Sequence, residues 1–493
     1  MYMEARLTGS ERDFFEALDR VAYGNPFDDA RAELIGRLVP AATPAQLAAD
    51  REALASVVQP RLAGWLDPGR RHTLAAEDER VVESACLYVC YHRHVPAIDS
   101  LIAQQVSRGE PPATDVLAAH VISDVVELGL TEEAAAHYFA FFFQLRRAFH
   151  FIMRDLPGDC GAMRALRRQL WNSVFTHDMR IYQGGLFNRM EEFSTLLLGE
   201  TGTGKGAAAA AIGRSQFIPY LPNKKRFAAS FSNSFISINL AQFPDTLIES
   251  ELFGHRKGAF TGAISDHAGV FSRCNEYGAL FLDEIGEVSI PVQIKMLRVL
   301  QERTFTPVGG HETARFAGRL IVATKRPLAE LRSGNRFRDD FYYRLCSDII
   351  TVPTLRERIS QSRGEIQALV RVLLTRVLAE RRVDLETRVL EALERDVPRD
   401  YAWPGNVREL EQGIRRILLT GHFAVQSAGL AAEPDQQLSD LVKSGALSAE
   451  ELLNRYCALL YRHLGTYAEV AARTGLDRRT ARRHVVEGLA RPS

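Results

Sequence analysis

The chain has 493 residues, 46% hydrophobic and 25% charged, with basic and acidic side chains balanced at 61 each. Neutral net charge excludes a general nucleic-acid coat, although a local basic patch can sit inside it. The length suggests about three domains of about 150 residues each. No apolar run reaches the roughly 18 residues that cross a bilayer. The N-terminus, Met1 to Arg6, lacks a basic-then-apolar leader, and six scattered cysteines do not form a disulfide framework, so a cytoplasmic protein is expected.

Residues 1–160 read as an all-helical domain. Phe14, Leu18, Val21 and Ala22 share one helical face, with Ser10 as the expected N-cap and Gly24 and Pro26 as the stop. Thr43-Pro44 opens another helix, and further helices fit 77–92, 96–107, 113–128 and 132–154. Cys86, Cys90 and His94 are spaced four apart with His92 nearby, so one helix face could present a metal or redox set. The competing reading is a buried helix, because Ala85, Leu87, Tyr88, Val89 and Tyr91 make the same segment apolar nearly all round. His137 to Phe143, followed by Phe149 and Phe151, is too short to span a membrane. It suits core, with an effector pocket or an oligomer contact as alternatives.

Thr195-Leu196-Leu197-Leu198 reads as a buried parallel strand. It runs into Gly199-Glu200-Thr201-Gly202-Thr203-Gly204-Lys205-Gly206 and then an alanine-rich helix. That is the strand–loop–helix context of a P-loop, whose backbone N–H groups and helix dipole hold phosphates while Lys205 reaches the terminal ones. Gly206 offers no hydroxyl for magnesium where a generic P-loop has Ser or Thr. Next, Glu251 to Ala263 sets three glycines around Phe260-Thr261, a poor helix and a poor strand. Such a loop can present one ring to a partner, or Phe260 can tuck into the core. Gly278 to Glu284 is an apolar strand with an acidic end. Asp283 is placed to hold magnesium and Glu284 to activate the attacking water.

This central region resembles the AAA+ domain of sigma-54-dependent bacterial enhancer-binding proteins, over an α/β subdomain at 163–355 and a helical lid at 356–420. Gly258-Ala259-Phe260-Thr261-Gly262-Ala263 reproduces that family's signature loop. The resemblance implies ATP and Mg2+ as cofactors, an ATP-driven ring, a hexamer, and contact of the loop with sigma-54 to remodel the closed RNA polymerase holoenzyme–promoter complex. It further implies Asn239 as the residue restraining Glu284, Thr324 as the first sensor, Arg338 and Arg344 as arginines acting on a neighbour's nucleotide, and Arg408 as the second sensor. Read without the family, Arg338 and Arg344 suit surface pairing with Asp339 and Asp340. The chain departs from the family at Gly206, where Glu is usual, and at Lys325, where Asn or a similar polar residue is usual. Residues 172–192 and 217–234 are longer than the family's usual approach.

A polar linker at 421–448 leads to 449–493. There, two short helices joined by a Thr474-Gly475-Leu476 turn, the second carrying Arg478, Arg479, Thr480, Arg482 and Arg483, form a helix-turn-helix pattern. It resembles the Fis-type DNA-binding module, which implies enhancer DNA as a partner. Leu452, Leu453, Tyr456, Leu459 and Leu460 offer a dimer stripe. The expected protein is an ATP-hydrolysing transcription activator under the control of residues 1–160, which lack the pattern of a phosphoacceptor receiver. The rivals are an AAA+ unfoldase, which the signature loop and basic tail oppose, and a repressor with a decayed ATPase. Lys205, Asp283, Glu284, Arg338 and Arg344 oppose the latter.

Overall fold

A computed structural model describes residues 6–39, 51–71, 73–109, 114–327, 329–330, 337–424, 442 and 447–490. The N-terminal helices are α1 (Gly9–Tyr23), α2 (Asp29–Leu38), α3 (Arg51–Leu62), α4 (Ala76–Arg108), α5 (Asp115–Glu127), α6 (Glu132–Asp155) and α7 (Gly161–Phe175). The cap of α1 is Thr8, not Ser10. Its hydroxyl accepts the Glu11 N–H while the Glu11 carboxylate accepts the Thr8 N–H, a reciprocal pairing that Ser10, already inside the first turn, cannot make. The two helices expected over 77–92 and 96–107 are one rod, α4, with Pro96 inside it. Burial of Val95, Ile98, Leu101 and Ile102 around the proline holds the rod together despite the lost N–H donor. The start expected at Thr43-Pro44 and most of the linker lie outside the described residues.

The nucleotide domain is built on a parallel sheet of β4 (Phe235–Asn239), β5 (Ala279–Asp283), β8 (Arg319–Thr324), β1 (Thr195–Leu198) and β9 (Asp348–Thr351), in that spatial order. The register pairs Asn239 with Asp283 and Leu198 with Thr324, so the carboxyl ends of four strands open on one crevice. Ligands of open α/β sheets bind in such crevices. Flanking helices are α8 (Lys205–Gly213), α9 (Asp245–Phe253), α10 (Ile290–Glu302) and α11 (Asp339–Leu345). Two small hairpins join β2 (Tyr220–Leu221) to β3 (Arg226–Phe227) and β6 (Thr304–Phe305) to β7 (Ala314–Arg315). The helices α12 (Leu355–Gln361), α13 (Gly364–Leu378), α14 (Val383–Asp396) and α15 (Asn406–Thr420) follow.

The aromatic run is neither exposed nor confined to the N-terminal helices. Phe139 meets Tyr220 edge-on at 5.0 Å, Phe143 stacks on Phe227 at 4.5 Å, and Phe151 meets Phe231 at 5.6 Å. The extra segment 217–234 therefore folds as the β2–β3 hairpin and covers the aromatic face of α6. The other extra segment, 172–192, buries Tyr182, whose hydroxyl accepts from Gln144 Nε2 at 2.6 Å. Both insertions weld the helical region to the α/β region in one continuous core.

The chain divides into two compact units, one of residues 1–390 and 400–415, the other of 391–399 and 416–493. In the second, α16 (Ala449–Leu464), α17 (Tyr467–Thr474) and α18 (Arg478–Ala490) surround buried Cys457, Val470, Ala481 and Val485. A Cβ on Gly488 would lie 2.2 Å from the Asn454 carbonyl oxygen, so α16 and α18 touch backbone to backbone there.

Candidate nucleotide site and output loop

The loop after β1 turns because its glycines can. Gly202 and Gly204 have φ of 80° and 107°, a region that costs other residues about 1–2 kcal/mol. A Cβ at Gly202 would strike the Gly405 carbonyl oxygen at 2.2 Å. Lys205, 7% exposed, donates from Nζ to the Gly199 and Glu200 carbonyl oxygens at 2.7 and 2.9 Å. Burial pushes its pKa down, against the pull of Asp283 and Glu284. Thr203 Oγ1 donates to the Glu200 carbonyl at 2.9 Å. At Gly206 a Cβ would meet nothing, so close packing does not require glycine there.

Asp283 closes β5 and accepts the Glu284 N–H at 3.0 Å. Glu284 sits at φ 57°, a left-handed position that aims its side chain back from the strand end. One carboxylate oxygen lies 3.8 Å from Lys325 Nζ, and the other is buried without a hydrogen-bond partner among the described residues. The Lys325 departure thus sits directly on Glu284. Asn239 stands beside Asp283 in the sheet, but its Oδ1 accepts the Ala241 N–H at 2.9 Å rather than engaging Glu284. Thr324 is fully buried at the end of β8, its Oγ1 accepting the Arg326 N–H at 3.1 Å.

Sequence reading gave Asn406 no role. It is fully buried at φ 53°, with Nδ2 donating to the Glu200 carboxylate and the Thr201 carbonyl, both at 3.1 Å, and Oδ1 accepting the Leu355 N–H at 2.8 Å. The Val407 N–H reaches the Gly202 carbonyl at 3.0 Å, and Arg356 pairs with Glu200. This clasp holds the segment bearing Arg408 over the P-loop, with the Arg408 Cβ 3.0 Å from where a Gly202 Cβ would stand. A non-glycine residue at φ near +50°, directly before a helix, has no signature in a single sequence. Arg338 makes two bonds to Asp340 at 2.8 and 3.0 Å, the surface pairing that its neighbours suggest. Arg344 donates from Nε to the Leu300 carbonyl at 3.2 Å, and its side chain is 47% exposed.

The loop from Gly258 to Ala263 stands on a two-stranded stem. His255 and His267 exchange backbone bonds at 3.0 and 2.9 Å, and Arg256 N–H reaches the Val308 carbonyl at 3.0 Å. Arg256 also pairs with Asp266 and Glu312, both at 2.8 Å. At the tip, Gly258 and Gly262 take φ of 81° and 103°, and the Gly258 N–H bonds the Ala263 carbonyl at 2.8 Å. Phe260 is 38% exposed and rests edge-on against His255 at 4.9 Å, between the core and free alternatives; Thr261 is exposed.

The sigma-54 interaction domain family matches residues 185–351, and the AAA+ ATPase lid domain family matches 360–439. Over 337 residues the chain is 38% identical to the transcriptional regulatory protein ZraR of Klebsiella oxytoca, which covers 66% of this chain and 67% of that protein. The chain belongs to the sigma-54-dependent enhancer-binding proteins. It is also 37% identical over 311 residues to the nitrogen fixation protein VnfA of Azotobacter vinelandii, covering 61% of this chain and 55% of that one. Identity to the Nif-specific regulatory protein of Bradyrhizobium diazoefficiens is 44% over 247 residues, 50% of this chain and 39% of that one. The chain thus spans from two thirds to under half of these relatives' lengths. The crevice described above is that of an AAA+ ATPase.

The residues of this enhancer-binding protein fit a nucleoside triphosphate with a divalent cation. Left-handed glycines bare the loop's backbone N–H groups, a buried ammonium lies beside them, and the orphaned Glu284 oxygen and Asp283 face it. In the second unit, Arg478, Arg479, Arg482 and Arg483 are all exposed on α18. Asp477 caps that helix through the Arg479 and Thr480 N–H groups at 3.0 and 3.1 Å. Leu452 and Tyr456 of the expected dimer stripe remain on the surface of α16, whereas Leu453 and Leu460 pack toward α17 and α18.

The cysteine set is changed by the fold. Cys90 and His94 gather with Asp124 within 4.8 Å, and Cys86 faces a different core cluster. Asp124 bonds His94 Nε2 and Arg93 Nη1, both at 2.8 Å, and burial pushes the Cys90 thiol up to about 12. Arg93 shares the Asp124 carboxylate with His94 and offsets its negative charge.

Proposed function

We propose that the chain is an ATP-hydrolysing transcription activator that assembles from dimers into a hexameric ring, binds enhancer DNA and remodels sigma-54 RNA polymerase through Gly258 to Ala263. In this reading Gly199 to Gly206 and Lys205 hold the phosphates of ATP, Asp283 holds Mg2+ and Glu284 orients and deprotonates the attacking water. Bound ATP supplies the phosphoanhydride whose cleavage drives the cycle. Arg338 and Arg344 act on the neighbouring subunit's nucleotide, which suits side chains on the surface with at most salvageable local pairs. Thr324 and Arg408 sense nucleotide state, and Asn239 relays it. Arg478, Arg479, Thr480, Arg482 and Arg483 bind DNA.

One observation carries the reading. Asn239, in register with Asp283, leads through the Leu240–Gln242 turn into α9, and α9 ends at Gly254, where the loop stem begins. Chemistry at the strand ends therefore has a short covalent path to Phe260 and Thr261. Lys325 Nζ, 3.8 Å from the Glu284 carboxylate, adds a second group to the restraint that the family resemblance assigns to Asn239. The test is open-complex formation by purified sigma-54 polymerase on a promoter carrying the enhancer. Open complexes should require this protein and hydrolysable ATP. ATP turnover without any open complex would refute the proposal.

A further inference from the structure

The N-terminal helices and the 172–192 segment line a half-open cavity of about 290 Å³, near the lower end of the roughly 300–1,000 Å³ that small-molecule sites occupy. Nearly half of its lining residues carry aromatic rings, among them Tyr88, Tyr91, Tyr138, Phe142, Phe149 and Trp171. Ring faces and edges of this kind pack favourably on a flat aromatic ring. Arg31 and Arg146 also line it, and among the described residues no carboxylate does. Arg146 lies 4.9 Å over Phe149 and pairs with Asp99, which is outside the lining. The two guanidiniums favour an anion over a cation in the wall, with the Arg146 charge shared with Asp99. Burial pushes the Tyr138 hydroxyl pKa up. Trp171 is 4% exposed, and its Nε1 has no acceptor among the described residues.

Two elements of this wall are bolted to the nucleotide domain. On the opposite face of α6, Gln144 donates to the Ser215 carbonyl at 2.8 Å, and Arg147 donates to the Arg214 and Gln216 carbonyls at 2.9 and 2.8 Å. Those carbonyls directly follow the P-loop helix α8. On α7, Ser173 lies two residues from Trp171. Its Oγ is 3.1 Å from Thr195 Oγ1, and Arg319 Nη2 donates to both hydroxyls at 2.9 and 3.1 Å. Thr195 opens the strand that enters the P-loop. The orphaned indole nitrogen is sealed from solvent on the α7 side of the cavity.

We propose that this cavity is an effector site for a small aromatic carboxylic acid, and that its filling is passed through α6 and α7 to the P-loop. The coupling rests on the ATPase reading above; the binding does not. The full chain is titrated with benzoate, salicylate and 4-hydroxybenzoate by calorimetry, with benzylamine and cyclohexanecarboxylate as controls, and ATP turnover is followed at saturation. Saturable binding of at least one acid is expected, with no binding of benzylamine and a several-fold change in turnover. Arg146→Gln should weaken binding about tenfold or more, the cost of one charge-assisted hydrogen bond. Trp171→Phe should keep binding and blunt the turnover response.

Failure of all three acids to bind a protein that still binds ATP overturns the site. Equal binding of benzylamine, or an unchanged affinity in Arg146→Gln, overturns the charge assignment. Binding with unchanged turnover overturns the coupling. Binding to a protein that hydrolyses no ATP under any condition supports the cavity and refutes the ATPase reading instead.

Discussion

Gly202→Ala should detach the lid segment from the P-loop. The new methyl would lie 2.2 Å from the Gly405 carbonyl oxygen, a backbone atom, and 3.0 Å from the Arg408 Cβ. Relief to an ordinary C···O contact of about 3.3 Å requires an opening of about 1 Å. Residue 202 also sits at φ 80°, which costs alanine about 1–2 kcal/mol. The opening breaks the Val407 to Gly202 backbone bond and strains the Asn406 bond to the Thr201 carbonyl, each worth about 0.5–1.5 kcal/mol. The combined cost of about 2–5 kcal/mol should weaken nucleotide affinity by about 30-fold or more. A fluorescent ATP analogue measures the affinity, and circular dichroism checks that the fold survives. Gly206→Ala is the matched control. Its methyl meets nothing, and it should stabilise the first turn of α8 by about 0.5–1 kcal/mol with ATP affinity intact. If Gly202→Ala binds ATP as tightly as Gly206→Ala does, the clasp argument is wrong.

Glu284→Gln should retain ATP binding and lower turnover by about 10²-fold or more; unchanged phosphate release would remove Glu284 from the chemistry. Thr261→Ala should leave ATPase activity largely intact and end open-complex formation, read by promoter melting with sigma-54 polymerase. A mutant that still opens promoters would refute the loop's role. Glu365 predicts a pH dependence. Burial pushes its carboxyl up, but the Arg358 guanidinium and the Cys160 and Asp159 N–H groups outweigh this and hold it below its ordinary value. A lowered folded pKa means that the stabilisation is present above the unfolded value of about 4.3 and is lost as pH falls through the folded one. Glu365→Gln should therefore cost about 3–5 kcal/mol at pH 7, with the melting temperatures of mutant and parent converging in acid. A gap that persists unchanged at pH 3 would contradict this.

Truncation at residue 160 is a poor way to separate the helical region from the engine. It would strip α6 from Tyr220, Phe227 and Phe231 and leave those rings in water, at about 1.5–3 kcal/mol for each fully buried one. Single substitutions among the cavity-lining residues perturb the communication without removing α6 from that core.

What the sequence by itself determined is what contiguous backbone decides. The strand, glycine loop and helix from Thr195 onward, the acidic end at Asp283-Glu284 and the 258–263 loop each need only local conformation and composition. The helix starts expected at 96 and at Ser10 failed because burial around Pro96 and the reciprocal Thr8–Glu11 bonds outweighed local punctuation. Only the tertiary structure decided which strand ends stand side by side, since the sheet order is not the chain order. It also decided that Asn406 clasps the P-loop from some 200 residues away, that Asp124 displaces Cys86 beside Cys90, and that the aromatic run is a joint with a cavity on its other face. Those outcomes depend on burial between segments distant in the chain, and a face's hydrophobicity states that it will be covered without naming what covers it.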